Sequence, residues 1–232
     1  MTRNRERRIN PIIASFKPDM DKAFDKQAQK LNRAISRLQK DINPFDLEAL
    51  WIANDIGEII IENADYWVRL SLEKGLEGAA DVTGIVLEMN DSPRIINAAD
   101  DILGKLKSMT DKTSIEDLRG LISESISSRD TVDQLKKKIT ERFTQYQGYR
   151  SERIARTESA NAYGKASLEY YKECKIGYKK WQTMEDDRVS EICWGNQNEG
   201  TIPINQTFSS GVQNEPNHVN CRCSVIPVSE ID

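Results

Sequence analysis

Along most of this chain apolar residues recur three or four positions apart, and the period changes only toward the end. From Asp19 to Ile42 the positions Ala23, Phe24, Ala28, Leu31, Ile35, Leu38 and Ile42 form one narrow stripe. That predicts a polar amphipathic helix that pairs with a single neighbour or a partner subunit. Asn43-Pro44 breaks the pattern and starts a longer, more apolar helix, from about Phe45 to Leu76, whose Trp51 and Trp67 read as core anchors. Gly75, Gly78 and Gly84 read as a loosening of the chain after it. Shorter helices are predicted from Ser92-Pro93 to Met109, from Ser114, and from Thr131 to about Gly148. Thr131 and Gln134 have the spacing of a capping box.

The segment from Ser151 to Tyr171 is helical but unusually polar, with Arg153, Arg156, Glu158 and Asn161 among its apolar positions. Arg153 and Arg156 are three apart and share a face. If a neighbouring module covers that face, the charges need partners, and Glu158, Asp186 and Asp187 are the carboxylates at hand. The alternative is a solvated face with ordinary surface ion pairs.

After Gly177 the pattern turns extended. Tyr178 to Trp181, Thr201-Ile202-Pro203-Ile204 and Ser224-Val225-Ile226-Pro227-Val228 predict three short strands. The expected fold class is mainly α: an elongated helical N-terminal region followed by a small α+β C-terminal module of short strands. The division expected is a basic arm at 1–18, a helical docking region at 19–110, and a domain at 111–232 whose module lies at about 178–228.

Composition narrows the function classes. The formal net charge is -4, which argues against a whole surface built to grip nucleic acid. Positive charge is local, in Arg3, Arg5, Arg7 and Arg8, which are candidates for contact with nucleic acid or a partner; a solvated tail is the bland alternative. A mean hydropathy of -0.63 suits helices with wet polar faces. No apolar run is long enough to span a bilayer, and Met1 to Asn10 lead into no secretory pattern, so a reducing cytosol is the expected place of synthesis.

The candidate chemistry lies between Trp181 and Pro227. There the only histidine, His218, and three of the four cysteines, Cys193, Cys221 and Cys223, are concentrated. One structural zinc would use all four as a tetrahedral set. The one-residue gap between Cys221 and Cys223 is tighter than the usual spacing, so packed thiols stand as an equal alternative and a disulfide as a third. A catalytic use, with Cys193 as nucleophile and His218 as base, matches no enzyme motif in its spacing. Cys174 reads as a packed thiol.

Taken in order, several of these residues resemble a known family. They are Arg153-Ile154-Ala155-Arg156-Thr157-Glu158, Asn161, Gly164, Gly177, Trp181, Asp187-Arg188-Val189, Cys193, Pro216, His218, Asn220-Cys221-Arg222-Cys223 and Pro227. Together they resemble the phage Mu protein F-like minor head protein family over roughly Ile115 to Val228. Two departures stand out. Val219 follows His218 where the family often has proline, and Ser190 occupies the region where an additional cysteine is common.

The resemblance implies a minor capsid or head morphogenesis protein of a tailed bacteriophage, assembled in the host cytoplasm and placed inside the head near the portal vertex. Its implied partners are the portal protein and the major capsid or scaffolding protein, with packaged DNA a further one, and no membrane. It also implies a structural network of Arg153, Arg156, Glu158, Asp187, Arg188, Asn220 and Arg222, and a task in DNA packaging or ejection rather than catalysis. An enzyme or toxin-related module using the Cys/His cluster is the alternative, because similar domains occur in toxin-like architectures. A small DNA-binding protein acting through its arginine-rich start is a third.

Overall fold

The computed structural model describes residues 2–38, 42–89 and 92–229. Among these the fold is mainly α, with six α-helices and a three-stranded sheet near the C-terminus, as the periodicity predicted. The helices are α1 (Thr2–Ser36), α2 (Leu47–Ala53), α3 (Glu58–Thr83), α4 (Pro93–Ser127), α5 (Val132–Glu173) and α6 (Glu191–Asn198). The strands are β1 (Tyr178–Gln182), β2 (Thr201–Pro203) and β3 (Ser224–Val228), antiparallel in the order β2-β1-β3.

The helices are longer and fewer than the breakers suggest. Residues 2–18 are not a trailing arm but the first turns of α1, which runs through Pro11 and Pro18. Each proline removes one backbone donor from the ladder. Burial of Ile9, Ile12, Ile13 and Phe16 offsets that loss. Part of the stripe expected to end at Ile42 lies at 39–41, outside the described residues. The predicted helix from Phe45 to Leu76 is instead a 3-10 turn (Pro44–Asp46), α2 and α3, interrupted at 54–57 where Asp55 takes φ 46°. Trp51 is buried, whereas Trp67 is only half-buried and meets Tyr66 edge-on. The expected stops at Met109 and Gly148 do not interrupt α4 and α5. A glycine or polar turn signal stops a helix only where no packed face carries it onward.

The contacts divide into two compact units: residues 1–15, 66–102 and 153–232, and residues 16–65 and 103–152. The second is built around aromatic rings. Phe24, Trp51, Phe143 and Tyr146 pack with centroids 5.1–6.5 Å apart, and the Arg150 guanidinium lies 4.0 Å from the Tyr146 ring centre. The Trp51 indole donates to Asp111 at 3.0 Å, and Asp117 accepts from both Arg142 and Tyr146. At the start of α5 the capping box forms, with the Gln134 side chain accepting from Thr131 N at 2.7 Å and Thr131 Oγ1 from Gln134 N at 3.3 Å.

In the first unit α3 and α5 approach closely. Gly75 and Gly78, far from loosening the chain, lie within α3 against Tyr163. The Ser167 hydroxyl bonds the carbonyls of Gly75 and Tyr163, at 3.0 and 2.9 Å. A Cβ at Gly75 would sit 2.4 Å from the Tyr163 carbonyl oxygen, an atom held in a helix. Gly75→Ala should therefore destabilise the protein by about 1–3 kcal/mol through overpacking. At Gly148 a Cβ would meet nothing, so Gly148→Ala should stabilise it by about 0.5–1 kcal/mol through helix propensity. Urea unfolding of the two variants should thus shift in opposite directions.

Candidate Cys/His site

The module that carries the cysteines has a small core of its own. Strand β1 alternates, turning Lys179 and Trp181 inward and leaving Lys180 outside. Val225 of β3 pairs in register with Trp181. Around Trp181 gather Cys193, Ile202, Phe208, Cys221, Cys223 and Val225, and Phe208 meets the indole edge-on at 5.2 Å. Helix α6, which the sequence pattern did not reveal, places Cys193 on its first turn, where Cys193 N donates to Ser190 O at 3.0 Å. Eight residues with mixed periodicity are too few to signal a helix.

Within this core Cys193, His218 and Cys221 converge: one ligand atom from each lies within 4.8 Å of the others. The Cys193 and Cys221 sulfurs are 3.8 Å apart and unbonded. His218 and Cys221 are brought together by a tight turn in which Cys221 N donates to His218 O at 3.1 Å. Asn220 supplies the left-handed residue of that turn, at φ 61°, a conformation Asn tolerates better than most. The His218 Nδ1 lies 2.8 Å from the Val219 carbonyl, which can only accept, so Nδ1 carries the proton and Nε2 keeps its lone pair.

The three thiols share their protons unequally. S–H donation from Cys193 and then Cys223, with backbone N–H groups of Asn217 and Cys223, pulls the Cys221 thiol far below its ordinary range. Next to that thiolate, Cys193 and Cys223 are pushed up. The sulfurs are almost fully covered, with Cys193 0% and Cys221 4% exposed. The cavity touching Cys221, lined also by Arg5, Arg156, Asn220 and Arg222, measures only about 20 Å³. That admits about one water and no substrate.

Charged groups lock the loop in place. Arg222 donates two bonds to Asp186, at 2.7 and 2.6 Å, and this pairing holds the Asp186 carboxyl below its usual range. Among the available carboxylates it is therefore Asp186 that meets the motif arginine; Asp187 and Arg188 are exposed. Arg153 and Arg156 are half-buried on α5, and burial pushes Glu158 up, with Asn161 donating to it at 3.4 Å.

Three buried charged residues, Arg5, Glu215 and Lys179, carried no signal in the sequence. Arg5, grouped by sequence with the basic residues of the presumed arm, is 2% exposed and donates to the Cys223 and Cys221 carbonyls at 2.5 and 3.0 Å. It lies 3.8 Å from Glu215, whose other oxygen accepts from Val225 N at 2.9 Å. Burial pushes Glu215 up to about 7 even beside Arg5. Arg8 is likewise engaged, by Glu77 at 3.1 Å and by Asp81. Of the four N-terminal arginines only Arg3 and Arg7 face solvent.

Lys179 has no exposed surface and donates to the Gln213 carbonyl at 2.9 Å. Burial, with Lys172 nearby, pushes it from 10.5 down to about 8. Because the folded state holds this proton less tightly than the unfolded chain, stability lost to the buried charge returns as pH rises through that window. Relative to Lys179→Met, the wild type should gain up to about 3 kcal/mol between pH 7 and pH 11, measured by urea unfolding at each pH.

Residues 116–226, from within α4 into β3, match the family described as Phage Mu protein F like protein, to which this segment is similar. No curated protein and no solved structure matches the chain.

Proposed function

We propose, from the premise that residues 116–226 are a Mu F-like segment, that this protein is a minor head protein of a tailed phage that associates with the portal vertex inside the head. Similarity to that family points to head morphogenesis and so to contact with other capsid components. The observation that carries the proposal is that the matched segment ends in the His218 to Cys223 element, held in a packed and covered module. Covered thiols of this kind suit a structural element, whereas a cysteine enzyme needs an accessible thiolate. No helix among the described residues is long and apolar enough to cross a membrane.

Positioning at the portal would let the protein assist DNA packaging or ejection. Among the N-terminal arginines, Arg3 and Arg7 are those left to meet phosphate or an acidic partner surface. The test is co-expression of the full chain with the portal, scaffolding and major capsid proteins of its phage. Co-purification with proheads in a few copies, dependent on portal, supports the proposal. Absence from proheads, or even incorporation without portal, overturns the portal assignment.

A further inference from the structure

We propose that Cys193, Cys221, Cys223 and His218 hold one zinc ion as a closed tetrahedral site that joins α6 to the 218–223 turn. The inference rests on geometry and does not depend on the head-protein assignment. Thiolates bound to zinc lie about 2.3 Å from the metal, so two corners of such a tetrahedron stand roughly 3.8 Å apart. The Cys193 and Cys221 sulfurs are 3.8 Å apart, much farther than the roughly 2 Å of a disulfide. Sulfurs packed merely as small hydrophobes have no reason to attract an imidazole, yet a ring nitrogen of His218 lies within 4.8 Å of both. Cys223, two residues from Cys221 and buried in the same cluster, lies outside the 4.8 Å group and supplies the fourth corner by turning its side chain toward the metal.

The surroundings have the form of a metal ligand's support. His218 donates Nδ1–H to the Val219 carbonyl, the arrangement that fixes the tautomer and leaves Nε2 to ligate. Arg5 holds the Cys221 and Cys223 carbonyls from behind. Three thiolates with one imidazole and no open position favour a structural zinc over a catalytic one. The module gains from it, since its sheet has only three short strands.

The test uses the full chain purified under reducing conditions. Elemental analysis should find one zinc per chain. Exchange into cobalt should give the visible bands of tetrahedral Co(II) and thiolate charge transfer. Cys193→Ser, Cys221→Ser, Cys223→Ser and His218→Ala should each weaken cobalt binding by more than the roughly 10–100-fold that loss of a supporting partner costs. Cys174→Ser, outside the cluster, should bind as wild type. Variants that fail to fold do not remove the test, because metal content and the cobalt spectrum are read on the wild type. A metal-free wild type with free thiols, or one carrying a Cys193–Cys221 disulfide, overturns the proposal. A Cys223→Ser protein with an unchanged cobalt spectrum overturns the four-ligand set.

Discussion

Arg5→Met should destabilise the protein by about 3–5 kcal/mol, measured by urea unfolding at neutral pH. The substitution roughly preserves length and apolar volume, so the loss is electrical and not a cavity. In the wild type one guanidinium caps two carbonyls of the cysteine turn and faces Glu215, all with almost no solvent access. Without it the Cys221 and Cys223 carbonyls lose their partner, and Glu215 keeps a buried position with one donor, Val225 N. With Arg5 gone, the main opposition to the burial that already holds Glu215 at about 7 is lost, so Glu215 folds protonated at neutral pH. Glu215→Gln added to Arg5→Met removes the cost of taking up that proton while keeping an acceptor for Val225 N. The double variant should recover about 1–2 kcal/mol, a coupling typical of residues in contact. A loss under about 1 kcal/mol for Arg5→Met would show that the clasp contributes no more than a surface pair.

Trp181→Ala should cost a similar amount, about 3–5 kcal/mol, for a different reason. Trp181 is the largest side chain in the small core of the C-terminal module, touching Phe208 on one side and packing among the three cysteines. Only a few other buried side chains make up that core, so little can move in to fill the space. The expected signature is local: Cys193, Cys221 and Cys223 should become reactive toward a thiol reagent well before the aromatic core around Trp51 and Phe143 unfolds. Trp181→Phe should cost less. It keeps most of the apolar contact and removes an indole N–H that is buried with no partner among the described residues. Thiols as protected in Trp181→Ala as in wild type would mean that the module does not depend on this ring.

Both variants act on groups whose sequence signals differed in kind. Trp181 was legible in part: the extended pattern from Tyr178 to Trp181 predicted a strand, but these two aromatics lie on opposite faces of it, and only the fold shows that Trp181 shares the inward face with Lys179. Arg5 was not. Its partners lie 216 and 218 positions away, and a basic run near a terminus has the same composition whether it is solvated or buried. Asp186 and Asp187 are adjacent and chemically equivalent in sequence. Only the loop's path put Asp186 against Arg222 and left its neighbour in water.

The sequence alone determined the helical class, the switch to short strands after Gly177, the capping box at Thr131 and the concentration of sulfur and imidazole chemistry near the end. These are local properties: periodicity, capping and composition act within a few residues. Helix length, the burial of Arg5 and Glu215, and the meeting of Cys193 with His218 and Cys221 were decided by tertiary structure. A helix persists through proline or glycine when a buried face stabilises it more than the lost bond or propensity destabilises it. A buried charge or a ligand set exists only where distant segments close around it.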